Sequence, residues 1–254
     1  MSGPTGATGA VPELSIVLPA YNEAARIGPT LARIGAWAEG REPRPEIVVV
    51  DDGSTDATAA IVGLHAAAGV RLVRLEQNRG KGAALRAGAL ASRGAFVLLS
   101  DADLSTPIEE VDRLLPWLRE ADLVLGSRDL PDSNVTRHQP WPRELAGKLF
   151  NLAIRVLGVR GFRDTQCGFK LLRGTVARRL FAELTVDRFA YDVELVWLAQ
   201  RAGYKVVEVG VEWHNDPATR VRMVRDGVGM FLDVVRFRLR HRGRAPGAEA
   251  GAAP

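Results

Sequence analysis

The chain has 254 residues, 46% of them hydrophobic, which suffices for the core of one large α/β domain, and its formal charge is only +4. A single cysteine, Cys167, excludes an intrachain disulfide, and no apolar run reaches the roughly 20 residues that span a bilayer. Arginine crowds residues 220–244, yet this segment carries no folded reader motif and few interleaved aromatics, so nucleic acid is not an expected partner.

Residues 1–12 are mostly Gly, Ala, Thr and Pro, with neither a basic nor an apolar signal region, and read as a disordered leader; residues 243–254 read as a disordered tail. The apolar run over 14–19 predicts a first buried strand ended by Pro19, and the next helix carries Ile27, Leu31 and Ile34, with Asn22 as its cap and Glu23 in its first turn. A second strand over 47–50 ends in Asp51-Asp52-Gly53-Ser54, where Ser54 or Thr55 is placed to cap a helix. A third strand over 70–75 leads to the glycine-rich, basic loop Asn78-Arg79-Gly80-Lys81-Gly82, which opens a helix and suits an anion. Such alternation is the pattern of a parallel, doubly wound sheet. The marks of other nucleotide folds are missing: no Gly-X-Gly-X-X-Gly follows the first strand, and no Gly-Lys-Ser/Thr occurs.

The run Phe96 to Leu99 then breaks off into Ser100-Asp101-Ala102-Asp103. Its brevity and apolarity predict a strand buried on both faces, which puts two carboxylates at the carboxyl end of the sheet, where open α/β folds bind ligands. Asp101 and Asp103 offer hard oxygen ligands suited to Mg²⁺ or Mn²⁺, although a solvated turn uses the same residues. Thr106-Pro107-Ile108-Glu109 predicts a capping box. A fifth strand over 123–126 delivers Ser127 and Arg128 to the same edge, followed by a polar loop over 129–140 and a helix from Trp141 to near Gly158. Polar residues are dense from Phe162 to Lys170, a helix opens at Ala190-Tyr191-Asp192-Val193-Glu194, and residues 206–211 return as a strand.

Pro19-Ala20-Tyr21-Asn22-Glu23, Val50-Asp51-Asp52-Gly53-Ser54, Asp101-Ala102-Asp103 and Gly126-Ser127-Arg128, in that order, resemble the inverting family-2 glycosyltransferases of GT-A fold. Asp164-Thr165-Gln166-Cys167-Gly168-Phe169-Lys170 and Ala190-Tyr191-Asp192-Val193-Glu194-Leu195 look like segments of dolichyl-phosphate glucosyltransferases and related polyprenyl-phosphate sugar synthases. The resemblance implies a single Rossmann-like α/β domain over 13–242 with a mostly parallel central sheet. It implies that Pro19, Tyr21, Glu23, Asp51 and Asp52 hold the base and ribose of a nucleotide sugar, with Arg79, Gly80, Lys81, Asp101 and Ala102 along the nucleotide. Asp101 and Asp103 are then the metal ligands, Ser127, Arg128 and Arg143 receive the acceptor phosphate, and Asp164 lies on the acceptor side with Asp192 and Glu194 in positioning roles. The activity implied is transfer of glucose from UDP-glucose to a polyprenyl or dolichyl phosphate. GDP-mannose as donor, a small hydroxylated acceptor and a non-catalytic sugar-nucleotide binder are the alternatives. A phosphate acceptor is already anionic at neutral pH and needs no general base.

Val221, Val224, Val228, Phe231, Val235 and Leu239 form one apolar stripe on a helix over 221–242, with Arg222, Arg225, Arg236, Arg240 and Arg242 largely off it. This helix is expected either to pack on the domain or to dock the enzyme peripherally on an anionic membrane at its cytoplasmic face.

Overall fold

The computed structural model describes residues 12–135, 159, 161–214 and 223–242, and the side chains of all of these except 223–228. Strands β1 (Leu14–Ala20), β2 (Glu46–Asp51), β3 (Val70–Arg74), β4 (Phe96–Leu99), β5 (Leu123–Ser127), β7 (Lys170–Arg173) and β8 (Val206–Gly210) form one sheet in the order β3-β2-β1-β4-β7-β5-β8. All neighbours in it are parallel except β7, which runs antiparallel between β4 and β5. Two short strands, β6 (Asn134–Val135) and β9 (Glu212–Trp213), pair beside it. The expected mostly parallel sheet is therefore present.

Both faces of this sheet are buried, and the period of two divides its residues cleanly. Val17, Val48, Val50, Val97 and Leu99 join one core with helices α3 (Lys81–Ala91), α5 (Gly174–Glu183), α6 (Tyr191–Arg201) and α7 (Met223–Arg240). Ile16, Leu18, Ile47, Val49 and Leu98 join the other with α1 (Ile27–Ala38), α2 (Thr58–Leu64) and α4 (Val111–Leu114).

The chain runs outward from β1 to β3 and then returns to place β4 on the other side of β1. That reversal opens a crevice outside the carboxyl ends of β1 and β4, the place where such sheets take ligands. Tyr21 to Glu23 leave one side of it and Asp101 to Asp103 the other.

The helix starts differ from expectation for one shared reason. Helix α1 begins at Ile27, beyond Asn22 and Glu23, and α2 begins at Thr58, beyond Ser54 and Thr55. The polar side chains expected to cap these helices lace the strand-end loops together instead. Ser54 Oγ accepts from the Asn22 N–H (2.9 Å), Asn22 Oδ1 from the Thr55 N–H (2.8 Å), and Thr58 Oγ1 from the Glu23 N–H (2.7 Å). Likewise Thr106 does not cap: its Oγ1 lies 3.9 Å from Cys167 Sγ, and the expected helix is a short 3-10 turn over Ile108–Glu110 leading into α4.

The helix expected over 141–158, and Arg143 with it, lies outside the described residues, as do the leader over 1–11 and the tail from residue 243. Among the described residues, no helix is long and apolar enough to cross a membrane.

Candidate active site

The acidic pair sits in a tight turn. Leu104 adopts φ +48° and is buried, the Leu104 N–H donates to Asp101 O (3.1 Å), and the Ser105 N–H donates to Asp103 Oδ1 (2.9 Å). A positive φ at a branched residue is uncommon and costs backbone strain; here it falls in the turn that carries both carboxylates. Ala102 is buried and serves through its backbone, its carbonyl accepting from Thr30 Oγ1 (2.5 Å).

Asp101 forms an ion pair with Lys81, the first residue of α3. Its carboxylate lies so close to Gly168 that a Cβ there would overlap it. Withdrawal from water pushes the Asp101 carboxyl up, but the charges of Lys81, Lys170 and Arg128 outweigh this and hold it below the usual range. Asp103 goes the other way, raised by the same withdrawal and by the charge of Asp101. Two carboxylates of opposite tendency thus face one space, and a cation between them would relieve the repulsion. Among the described residues no cluster of three or more His, Cys, Asp or Glu forms a complete metal cage. The pair fits a hard cation that takes its other oxygens from a substrate diphosphate and water.

The loops after β1, β2 and β3 form the adjoining wall. Tyr21 is exposed there, Pro19 is half-buried, and the Glu23 carboxylate is held by Arg26 (2.7 Å). The polar groups of two of these residues are already engaged within the protein. Asp51 is sealed from solvent with Oδ1 accepting from the Ser54 N–H (2.9 Å), so it braces the turn and offers no exposed oxygen to a ligand. Gly80 gives its N–H to Asp52 Oδ2 while the Arg79 N–H goes to Asp52 Oδ1 (2.8 Å each), so neither amide is left for an anion. Burial raises the Asp52 carboxyl and the charge of Asp51 adds to this, against those two backbone bonds. The absent side chain of Gly80 (φ +112°) makes room for the backbone of Asp187, 2.6 Å from where a Cβ would stand. Side chains, Arg79 and Lys81, are what this loop presents.

On the far side of β4, Arg128 leaves the end of β5. Its Nε donates to Asp164 Oδ2 (2.6 Å), its terminal nitrogen to Oδ1 (2.9 Å) and its backbone N–H to Oδ2 (3.1 Å), a bidentate fork closed by the main chain. Burial pushes the Asp164 carboxyl up, but Arg128 outweighs it and holds the group below its ordinary value. Asp164 is therefore a poor proton acceptor at neutral pH and an effective clamp for the guanidinium. Arg128 also lies 5.4 Å from the ring centroid of Trp213. Ser127, expected at the acceptor phosphate, is wholly buried, with its Oγ accepting from the Asp129 N–H (3.3 Å).

Sequence reasoning missed what lies under this floor. Lys170, fully buried at the start of β7, forms an ion pair with Asp192 and donates to Cys167 O (2.5 Å). The run from Asp164 to Lys170 is thus a ladder: Asp164 holds Arg128, Gly168 admits Asp101, and Lys170 meets Asp192. The polar density of that run was the available signal. Glu194 is a buried partner with no exposed oxygen.

A family model described as Glycosyl transferase family 2 matches residues 15–181. The chain belongs to glycosyl transferase family 2. Among its relatives, Dolichyl-phosphate beta-glucosyltransferase of Dictyostelium discoideum is 34% identical over 243 residues, covering 90% of this chain and 74% of that protein. The protein of that name from Drosophila melanogaster is 37% identical over 245 residues, covering 89% and 75%. Mannosyl-3-phosphoglycerate synthase from Rubrobacter xylanophilus shares the fold with a TM-score of 0.64 at 25% identity, covering 95% of this chain and 78% of that one. The mannosyltransferase PcManGT from Pyrobaculum calidifontis, in complex with GDP-Man and Mn²⁺, gives 0.61 at 20% identity, covering 93% and 66%. This family-2 enzyme is a glycosyltransferase with the GT-A architecture.

Proposed function

We propose that this glycosyltransferase moves glucose from UDP-glucose to the phosphate of a polyprenol or dolichol, inverting the anomeric carbon to a β-linked product. The observation that carries the reading is the facing of two opposite walls across one crevice. Asp101 and Asp103 end β4, and Arg128, near enough to lower the Asp101 carboxyl, is held by Asp164 at the end of β5. The dolichyl-phosphate beta-glucosyltransferases among its relatives support the substrate class.

Tyr21 and Glu23 line the base and ribose end, Asp52 fixes the Arg79–Gly80 backbone behind them, and Arg79 and Lys81 meet the diphosphate. A divalent cation, Mg²⁺ or Mn²⁺, held by Asp101 and Asp103, would neutralise the leaving diphosphate. Arg128, with Arg143 as a second arginine, orients the acceptor phosphate, and the planar guanidinium suits that task. One phosphate oxygen attacks the anomeric carbon as the bond to the nucleoside diphosphate breaks. The oxygen is already ionised, so Asp164 has no proton to take and acts by fixing Arg128.

Helix α7 supports a membrane setting. Met230, Val234 and Phe237 pack inward, with Phe237 against Trp197 (5.6 Å between centroids), whereas Phe231, Leu232 and Leu239 are 44%, 45% and 56% exposed. The helix thus has a second apolar face that the described residues leave exposed, flanked by Arg236, Arg238 and Arg240. We assign it to a peripheral contact with an anionic cytoplasmic leaflet, where each arginine contributes on the order of 1 kcal/mol. Phe231→Glu with Leu239→Glu is expected to abolish cosedimentation with phosphatidylserine vesicles at low salt; unchanged sedimentation would sink the assignment. Truncation before Val234 is the poorer test, since it removes core residues.

The direct test crosses two donors, UDP-glucose and GDP-mannose, with two acceptors, dolichyl phosphate and a small sugar alcohol, in Mn²⁺ or EDTA. Transfer is expected only from UDP-glucose to dolichyl phosphate, and only with the metal. Transfer from GDP-mannose or to the alcohol would replace the reading.

A further inference from the structure

The loop that presents Arg79 and Lys81 rests on the segment joining α5 to α6. Asp187 O accepts the Ala83 N–H (3.0 Å), and the Asp187 carboxylate binds both Arg79 (3.0 Å) and Arg86 (2.6 Å). The Leu184 carbonyl takes a second nitrogen of Arg86 (2.9 Å), and a Cβ on Gly82 would stand 2.8 Å from Tyr191 Cβ and 2.9 Å from Arg188 O. With so little clearance, a shift of this segment moves the loop.

One carboxylate fixes it. Glu194, wholly buried on α6, accepts the Thr185 N–H (2.9 Å) and the Val186 N–H (2.7 Å) at Oε2, and the Thr185 hydroxyl (2.8 Å) at Oε1. Oε1 also lies 2.9 Å from Nε2 of His241, a residue 3% exposed just past the end of α7, whose ring sits 5.4 Å from that of Trp197. Among the described residues, Glu194 is the only side chain shown accepting the backbone amides of 185 and 186, and it is neither in the crevice nor able to touch a substrate.

We infer that Glu194, with His241 as its outer partner, is a positioning residue of the donor site, setting the place of Arg79 and Lys81 through residues 185–187. This rests on the reading of Arg79 and Lys81 as diphosphate ligands. The junction also ties α7 to the donor loop, so the helix assigned to the membrane and the nucleotide site share one hydrogen-bonded corner.

The test is calorimetric binding of UDP with Mn²⁺ to the full chain, alongside urea unfolding and steady-state KM for each substrate. Glu194→Leu, Thr185→Val and His241→Ala are expected to weaken UDP binding, the first by at least about tenfold, the scale of one lost charged hydrogen bond. They should leave the KM for polyprenyl phosphate unchanged. Glu194→Gln should bind UDP within about twofold of wild type, since its oxygen can take both backbone N–H groups while its amide donates to Thr185 and His241. Thr185→Val and His241→Ala, which leave the Glu194 carboxylate in place, serve if Glu194→Leu does not fold. Folded variants with wild-type UDP affinity, or with both KM values raised alike, would overturn the positioning role. A wild type that binds UDP leaves those outcomes decisive, whereas one that binds no nucleoside diphosphate overturns the donor reading and the inference with it.

Discussion

The two walls of the crevice are built by different physics. The wall of residues 19–23, 51–55, 78–81 and 103–105 is laced by hydrogen bonds between side chains and backbone amides, as in Asn22 to Ser54 and Thr55, Asp52 to Arg79 and Gly80 or Asp103 to Ser105. The wall of residues 126–128, 164–170 and 191–194 stands on ion pairs, half-buried Arg128 with buried Asp164 and, beneath it, buried Lys170 with buried Asp192. A typical hydrogen bond contributes a net ~0.5–1.5 kcal/mol, whereas removing one partner of a buried ion pair costs about 3–5 kcal/mol because the other charge is stranded. Substitutions on the first wall should therefore change function with small changes in stability, and substitutions beneath the second should change both.

The largest effect is expected under the second wall. Lys170→Met strands Asp192 and should lower unfolding free energy by about 3–5 kcal/mol, read in urea, whereas Lys170→Met with Asp192→Leu should regain most of it. A double variant as unstable as the single one would mean that the pair acts through packing and not through charge. Next, Asp103→Asn should lower turnover at least roughly 10²- to 10³-fold, with a midpoint of unfolding close to wild type, because the residue stands in a strand-end loop outside the core. Comparable stability loss in both variants would erase the contrast between the walls.

A smaller effect separates clamp from base. The folded Asp164 carboxyl lies below its ordinary value, so its stabilising contribution is complete above the unfolded value of about 3.9 and is lost as pH falls through the folded value. Between pH 5 and 8 it stays ionised. The acid limb of kcat/KM should then follow the acceptor phosphate, near about 6, in wild type and Asp164→Asn alike, with only the height reduced. A limb that moves in the variant would make Asp164 a proton acceptor. Smallest of all, Arg33→Ala removes an exposed pair with Glu109 (3.1 Å) and should change stability by less than about 0.5 kcal/mol.

The first wall was largely legible in the sequence, since parallel strands buried on both faces announce themselves as apolar runs and the functional residues follow at their ends. What could not be read was the partner of each polar side chain. Asn22, Ser54 and Thr106 are good helix caps locally, yet their bonds go to loops or helices that sequence alone does not bring near. The strand Lys170–Arg173 begins on a charged residue and has only two apolar positions, too few for periodicity to reveal, and it lies antiparallel between β4 and β5 with Leu171 and Leu172 wholly buried. On α7 the stripe of Phe231, Val235 and Leu239 was visible, but the face that docks is the neighbouring one of Met230, Val234, Phe237 and His241, where the histidine hides an inward-facing position.

The most direct measurement of the central claim is the structure of the product. Wild-type enzyme incubated with UDP-glucose, Mn²⁺ and a short-chain polyprenyl phosphate should give a lipid whose proton and phosphorus NMR spectra show one glucose joined through its anomeric carbon to the phosphate in the β configuration. An α-linked sugar, or glucose released to water with the lipid phosphate left bare, would contradict a single inverting displacement by a phosphate held on Arg128.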